Sequence, residues 1–228
     1  MSRGPLLAVL LGLSLLMPAA SRAQDERFSD DGWTLEQASD LLRKSPWALE
    51  ISVHILTGRL TQHPYVVGRR RAADSNTVPL LLPATYLVRW ESAEPVRRAF
   101  ARLEELSENA LASFLSRPPE NPGLESDHYV VTVKTMEPPQ PSSYDLFNRF
   151  LPAELMARAE LKSSHGRTAK PVHAVRSGVG ASAAVHFYFP RRTKEVPLLT
   201  ARDDWAEFTF TGRNGTKLKA RFKKHAIR

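Results

Sequence analysis

The stretch AEFTFTGRNGTKLKARFK, residues 206–223, decides the fold class. Apolar and polar residues alternate on both sides of Arg213-Asn214-Gly215, which is typical of two antiparallel strands joined by a tight turn. A two-residue turn would pair Phe210 with Lys219 and mix apolar with charged side chains. A three-residue turn pairs Phe210 with Leu218 instead and places every apolar side chain on one face. The pattern therefore predicts a three-residue hairpin turn whose glycine adopts the left-handed conformation.

Working outward from this hairpin, short strands and amphipathic helices are predicted along most of the chain. Further strands are predicted at Leu49–Leu56, Thr85–Glu91, Tyr129–Met136, Ala157–Ser163, Val172–Arg176 and Ala183–Pro190. Helices are predicted at Thr34–Lys44, Pro95–Ser116 and Tyr144–Phe150. Strands and helices are segregated and do not alternate, which favours an α+β fold. We expect a mainly antiparallel sheet of about seven to eight short strands with about three helices.

The first 23 residues predict a cleavable secretory signal. Arg3 precedes an apolar run, Leu6–Met17, and Ser21-Arg22-Ala23 offers small residues before a cleavage point. The run is too short to span a membrane, which takes about 20 apolar residues. We expect cleavage between Ala23 and Gln24 and export to the periplasm or the cell exterior. No later segment is apolar enough to form a transmembrane segment in the mature chain.

The rest of the chain is interpreted as one domain. Residues 24–32 are polar and acidic and predict a flexible leader, and residues 33–228 predict a single α+β domain. Within it, residues 57–83 show no clear periodicity and include Pro64, Pro79 and Pro83. This pattern predicts a long mobile loop.

Composition excludes several classes of chemistry. The chain of 228 residues has no cysteine, so disulfides, thiolate catalysis, iron–sulfur clusters and a cysteine-linked lipid anchor are excluded. Its hydrophobic content of 42 % suits a folded domain. Its net charge of +8 favours solubility or an anionic partner.

The candidate anion contacts are Arg69, Arg70 and Arg71, because three consecutive guanidinium groups in a loop can grip phosphates or an anionic surface. A solvated loop tip explains the same residues. No stacking aromatic residue beyond Tyr65 lies near them, and no nucleic-acid-binding signature surrounds them.

The other candidate motifs predict no catalytic, metal or cofactor site. None of the seven histidines forms an H-x-x-x-H or H-E-x-x-H pair. His173 and His186 could meet across neighbouring strands. The glycine-rich stretch Ser177–Ser182 is neither a nucleophile elbow nor a phosphate loop, and it predicts a hairpin loop. The four tryptophans are interpreted as core anchors.

Three short motifs resemble a group of uncharacterised exported bacterial proteins, several of them from soil acidobacteria. They are Ser45-Pro46-Trp47-Ala48, which follows Trp33–Ala38; Arg89-Trp90-Glu91-Ser92-Ala93, which leads into Pro95-Val96-Arg97; and Phe187-Tyr188-Phe189-Pro190-Arg191. The resemblance implies a bacterial envelope setting. It implies no activity, cofactor or catalytic residue.

Three functions remain open at this point. The first is a non-enzymatic envelope or secreted protein that binds a partner or an envelope component. The second is an enzyme, such as a hydrolase that uses histidine and carboxylates brought together by folding. The third is a protein that binds an anionic polymer or a membrane surface, with an affinity that falls steeply with salt.

Overall fold

The computed structural model describes residues 32–61, 77–106, 127–138, 145–147, 150–178 and 183–223. Residues Trp33–Arg228 group into one compact unit. The predicted signal, its cleavage point and nearly all of the predicted leader lie outside the described residues. Within the described residues, no helix is long and apolar enough to cross a membrane.

The described residues form three helices and eleven strands, so the fold is α+β and dominated by antiparallel sheet, as predicted. The helices are α1 (Leu35–Leu41), α2 (Glu94–Leu106) and α3 (Pro152–Arg158). The strands are β1 (Ala48–Thr61), β2 (Thr77–Trp90), β3 (His128–Glu137), β4 (Ala159–Ser163), β5 (Thr168–Ala169), β6 (His173–Ser177), β7 (Ala184–Pro190), β8 (Arg192–Thr193), β9 (Val196–Pro197), β10 (Trp205–Thr211) and β11 (Lys217–Lys223). The strand number exceeds the predicted seven to eight because three strands of two residues, β5, β8 and β9, were too short to leave a periodic pattern.

The strands form two main sheets. Sheet A has five strands in the order β1-β2-β3-β7-β6, and sheet B has four in the order β11-β10-β4-β5. Strands β8 and β9 form a separate two-stranded hairpin. All of these pairings are antiparallel.

The two sheets bury an aromatic core between them. Phe187 of sheet A lies 5.3 Å from Phe208 of sheet B, measured between ring centroids, and Trp90 lies 5.2 Å from Phe222. Phe147 contributes a third layer of contact, 4.4 Å from Phe210. The paired rings of Phe187 with Phe208 and of Trp90 with Phe222 join strands of the two sheets, so their burial holds the sheets face to face.

The opposite face of sheet A carries α1 and α2. Arg89 of β2 donates from Nη1 to the carbonyl of Leu42, just after α1, at 3.4 Å, and its guanidinium lies 4.7 Å from the ring centroid of Phe100 in α2. Helix α1 begins at the predicted cap, where Gln37 N donates to Thr34 Oγ1 at 3.2 Å and Thr34 N donates to Gln37 Oε1 at 2.9 Å. A polar side of sheet A therefore lies under the helices, and an aromatic side lies under sheet B.

The terminal hairpin has the predicted register. Phe210 pairs with Leu218, Phe208 with Ala220 and Ala206 with Phe222. Gly215 has φ of 79°, and its N–H donates to the carbonyl of Gly212 at 3.1 Å. The three-residue turn is confirmed.

The boundaries of the predicted loop over residues 57–83 were wrong. Strands β1 and β2 continue through Thr61 and from Thr77, and they pair along this length up to Thr61 with Thr77. Pro79 and Pro83 lie in the part of β2 before Thr85, where pairing with β3 begins. No described strand pairs with the other side of β2 there, so a residue without an N–H is tolerated. The mobility predicted for the centre of this loop falls on residues 62–76, outside the described residues.

The predicted helix at Tyr144–Phe150 was also wrong. Asp145 accepts a hydrogen bond from the N–H of Phe147 through its side chain at 2.9 Å, which forms a turn. The third helix is α3, which starts at Pro152 because proline suits the first helical position, and Glu154 accepts from the N–H of Leu151 at 2.9 Å. The second helix was predicted to reach Ser116; it is described to Leu106, and the remainder lies outside the described residues.

Candidate functional site

The candidate site residues predicted from the sequence lie outside the described residues. Ala23 and Gln24, at the predicted cleavage point, and Arg69, Arg70 and Arg71, the candidate anion contacts, all lie outside the described residues. Their roles stay predictions. The described residues offer two other arrangements of charged side chains.

The first arrangement is the outer face of sheet B. Strand β11 alternates buried and exposed residues, because its apolar side chains enter the aromatic core and the residues between them point outward. The outward residues of β11 are all basic, and β4 adds one more exposed lysine. We call this surface the lysine face; its members are Lys162, Lys217, Lys219, Arg221 and Lys223.

Acidic residues balance this charge only in part. Glu207 of β10 pairs with Arg221 at 2.8 Å, and Glu160 of β4 pairs with Lys170 at 3.7 Å. Among the described residues, no carboxylate pairs with the four lysines of the face. The lysines of the face therefore carry positive charge that no described carboxylate pairs with, on a hydrogen-bonded sheet.

Trp205 borders the lysine face, opposite Lys223 in the strand register. The guanidinium of Arg221 lies 4.3 Å from its ring centroid. Trp33, Trp47 and Trp90 are buried as predicted, but Trp205 is only half-buried, so the core prediction was wrong for this residue. Trp205 is the first residue of β10 and falls on the outward side of its alternation.

The second arrangement is centred on the buried carboxylate of Asp203. Its Oδ2 accepts from Thr200 N at 2.7 Å, from Thr200 Oγ1 at 2.9 Å and from the guanidinium of Arg167. Its Oδ1 accepts from Ser164 Oγ at 3.1 Å and from His165 Nδ1 at 2.9 Å. The side chain of Asp203 has no solvent exposure, whereas that of His165 is 53 % exposed.

The protonation of this centre follows from its contacts. Burial alone would raise the pKa of Asp203, but the hydrogen bonds from His165, Thr200 and Ser164 outweigh burial and hold this pKa well below its usual range. The carboxylate is therefore ionised and can only accept hydrogen bonds. His165 must then carry a proton on Nδ1, and when the ring is neutral its Nε2 presents a lone pair.

A backbone turn places His165 beside the buried carboxylate. Ser164-His165-Gly166 joins β4 to β5; Gly166 has φ of 81°, and its N–H donates to the carbonyl of Ser163 at 3.0 Å. This is the same kind of turn as Arg213-Asn214-Gly215. The N–H of Ser164 donates to the carbonyl of Trp205 at 3.1 Å, which brings the turn to the end of the lysine face.

A third polar group lies on the helix-covered face of sheet A. His186 is fully buried and links two hydroxyl groups: its Nδ1 lies 2.7 Å from Thr132 Oγ1 and its Nε2 lies 2.5 Å from Ser177 Oγ. Burial, and secondarily the charge of Arg89, lowers the pKa of His186 to about 3. His186 and Ser177 resemble a catalytic serine–histidine pair. A ring that resists protonation this strongly is a poor general base, so we assign the pair no catalytic role.

His173 and His186, which could have met across neighbouring strands, are not opposite each other. His173 lies opposite Tyr188, with 5.9 Å between ring centroids, and His186 lies opposite Val175. Within the described part of the chain, no group of three or more histidine, aspartate and glutamate side chains is placed to hold a metal ion. The glycine-rich stretch joins β6 to β7, consistent with a hairpin connection, and its centre lies outside the described residues.

Comparison with known proteins finds no match among family models, curated proteins or solved structures. The resemblance to exported bacterial proteins therefore stays a prediction, and the function must be argued from the surface of the molecule.

Sequence reasoning did not single out the lysine face or the Asp203 centre. The lysine face left a signal, since the predicted hairpin register already placed Lys217, Lys219, Arg221 and Lys223 on one side. The Asp203 centre left no signal in the sequence. Between His165 and Asp203 the chain passes from sheet B to sheet A and forms two hairpins, β6–β7 and β8–β9.

Proposed function

We propose that this protein is exported and binds a linear polyanion through the lysine face. The observation that carries the proposal is the set of four lysines on one exposed face of sheet B with no ion pair to a described carboxylate. Ammonium groups in such an array attract a polymer of regularly spaced negative charges. Each polymer charge that a lysine neutralises releases a counterion, which favours binding.

The geometry of the face suits an extended polymer. Alternate residues of a strand lie about 7 Å apart, so Lys217, Lys219, Arg221 and Lys223 form a row roughly 20 Å long. Lys162 lies two strands away from this row: it is opposite Glu207 of β10, which is in turn opposite Arg221 of the row. Because the sheet backbone is fixed by its hydrogen bonds, little backbone freedom would be lost on binding.

A polymer fits this surface better than a membrane. Peripheral membrane proteins usually insert apolar side chains beside their basic residues. The exposed large hydrophobic residues of the described chain lie on other elements and loops, not on the lysine face; they are Leu35, Leu56, Leu81, Leu106, Leu151, Val172 and Val196. The attraction of the face is therefore electrostatic.

Protection of a sheet edge accounts for only part of the arrangement. Strand β11 is an edge strand of sheet B, and lysines on an edge strand discourage aggregation. Lys162 lies on β4, an inner strand, where no edge needs protection. Edge protection also gives no reason for acidic partners to be absent from the lysines of the face.

Export supplies the setting for such a partner. Cleavage after Ala23 would remove Arg3 and Arg22 and no acidic residue, and would leave a mature chain that is still strongly basic. Acidic polymers of the cell envelope or its surroundings are then the available polyanions. Mass spectrometry of the protein from a secreting host should find Gln24 at the amino terminus; an intact first residue would contradict export by cleavage.

The binding test uses polygalacturonate coupled to a sensor surface, with neutral dextran as the reference. We expect binding to polygalacturonate only, with an affinity that falls steeply as salt rises. Lys217→Ser/Lys219→Ser should weaken binding at least several-fold. Lys44→Ser/Lys194→Ser removes the same charge elsewhere on the surface and is the matched control.

Two results would overturn the proposal. One is an affinity that does not change with salt. The other is an equal loss of affinity in both double variants, which would assign binding to overall charge and not to the lysine face.

A further inference from the structure

We propose that His165 is the proton-transferring residue of a lyase site for linear polyuronates, at the end of the lysine face. This inference rests on the proposed polyanion binding. It names the polymer, whose negative charges are sugar carboxylates, and assigns the face a reaction: cleavage of the chain by β-elimination.

The site adjoins the binding surface. The N–H of Ser164 bonds to the carbonyl of Trp205 at 3.1 Å, and Trp205 lies opposite Lys223. His165 follows Ser164 directly. The turn that carries the exposed imidazole of His165 therefore lies at the Trp205–Lys223 end of sheet B, beside Trp205 and across β10 from Lys223.

The chemistry needs a base whose ring is oriented with one nitrogen exposed. Asp203 accepts the Nδ1 proton of His165, which orients the ring and leaves Nε2 available to take a proton from the substrate. His165 is half-exposed, so Nε2 can reach a bound substrate while Asp203 stays shielded from water.

A cation beside the base serves the substrate carboxylate. Arg167 binds the other oxygen of Asp203, so its guanidinium lies close to the imidazole, and its side chain is 29 % exposed. A uronate carboxylate held by Arg167 would make its neighbouring C5–H bond more acidic.

The proposed reaction balances without a cofactor. His165 Nε2 takes the proton from C5 of the uronate ring, and the C5–H electron pair moves into the carboxylate as an enolate. The C4–O4 bond then breaks, the electron pair forms the C4=C5 double bond, and O4 of the departing sugar takes a proton from solvent water. The imidazole returns its proton to solvent, and the products are a shortened chain and an unsaturated uronide.

A polyuronate fits the face better than a nucleic acid. Single-stranded nucleic acids bind through aromatic rings on which bases stack. On the described lysine face the bordering aromatic residue is Trp205, which is half-buried and covered on one side by Arg221. Carboxylates need only the cations that the face supplies.

A structural role explains Asp203 but not the placement of His165. Thr200, Ser164 and Arg167 already satisfy both oxygens of the carboxylate and tie the β4–β5 turn to the segment before β10. His165 adds a further hydrogen bond to the oxygen that Ser164 already satisfies, from a ring that is 53 % exposed.

The experiment follows the ultraviolet absorbance of the new C4=C5 double bond, with polygalacturonate and alginate as substrates and the full chain as the enzyme. His165→Gln should lower kcat about 100-fold or more, as expected for loss of a general base. Its affinity for the polymer should stay unchanged, because the lysine face is intact. His54→Gln replaces an exposed histidine on β1 and is the matched control. His165→Ala should recover part of its rate when imidazole is added, which a purely structural role would not produce.

The outcomes separate the two proposals. Binding of the polymers with no rise in absorbance overturns the lyase site and leaves polyanion binding in place. No binding overturns both. Cleavage that persists in His165→Gln, or that falls equally in His54→Gln, overturns the role of His165.

Discussion

Gly166 and Gly215 occupy equivalent positions in two turns of the same kind. Both have positive φ, 81° and 79°, and an added Cβ would meet no atom within 4 Å at either position. The cost of a substitution there is therefore conformational and not steric. Left-handed backbone costs an L-residue about 1 kcal/mol or more.

Gly215→Ala tests this conclusion. The substitution should lower the free energy of unfolding by about 1 kcal/mol. Gly215→Asn should cost less, because asparagine tolerates the left-handed region. Urea denaturation measures both; equal losses for the two variants would show that the backbone conformation is not the cause.

His186 makes stability depend on pH. Its pKa is about 3 in the folded state against an ordinary 6.5, so below pH 6.5 the unfolded chain binds a proton that the folded chain refuses. The free energy of unfolding should therefore fall as pH drops from about 6.5 towards 3, by at most about 1.4 kcal/mol per pH unit. Denaturation of His186→Gln across this range should show a shallower slope. An unchanged slope would mean that His186 is protonated in the folded state.

At the scale of elements, the buried pair Arg89 and Glu91 helps to hold the helices on sheet A. Glu91 Oε1 accepts from Arg89 Nε at 2.7 Å, and Arg89 also reaches the carbonyl of Leu42 and the ring of Phe100. Both side chains are almost fully buried. Breaking such a pair leaves a charge in the interior, which costs more than removing both charges.

Arg89→Met should therefore lower the free energy of unfolding by about 3–5 kcal/mol. The double variant Arg89→Met/Glu91→Leu should lose less, because no buried charge is left behind. Thermal and urea denaturation of the single and double variants gives the comparison. A double variant less stable than Arg89→Met would contradict this account.

The elements best predicted from sequence are those with local signals. The cap at Thr34 and the register of β10 with β11 depend on residues close in the chain, and both were predicted. The extensions of β1 and β2 were not, because their pairing partners, and not their own periodicity, keep them extended. A helix was predicted at Tyr144–Phe150, in place of α3, because the apolar spacing around Phe147 and Phe150 suits a helix. Instead, these rings pack into the core from residues before α3.

At the scale of the whole molecule, the packing of sheet A against sheet B predicts that the described domain unfolds as one cooperative unit. Phe208 is fully buried and contacts Phe187 and Phe189 of sheet A, with ring centroids 5.3 and 6.1 Å apart. Phe208→Ala should lower the free energy of unfolding by about 3–5 kcal/mol. Near-ultraviolet and far-ultraviolet circular dichroism should report one coincident transition in both proteins.

Thr209→Ala is the control for this prediction, since Thr209 lies on the outer face of the same strand. Its effect should stay within about 0.5 kcal/mol. Two separate transitions in Phe208→Ala would show that the sheets fold independently.

The sequence by itself determined the α+β class, the helix cap and the terminal hairpin with its basic side, because alternation, capping and turn chemistry act over a few residues. It also predicts export. Only the tertiary structure decided which strands lie side by side, that no described carboxylate pairs with the lysines of the lysine face, and that Asp203 meets His165. The reason is physical: the charge balance of a surface, the burial of a carboxylate and the protonation of a histidine depend on segments that fold brings together from distant parts of the chain.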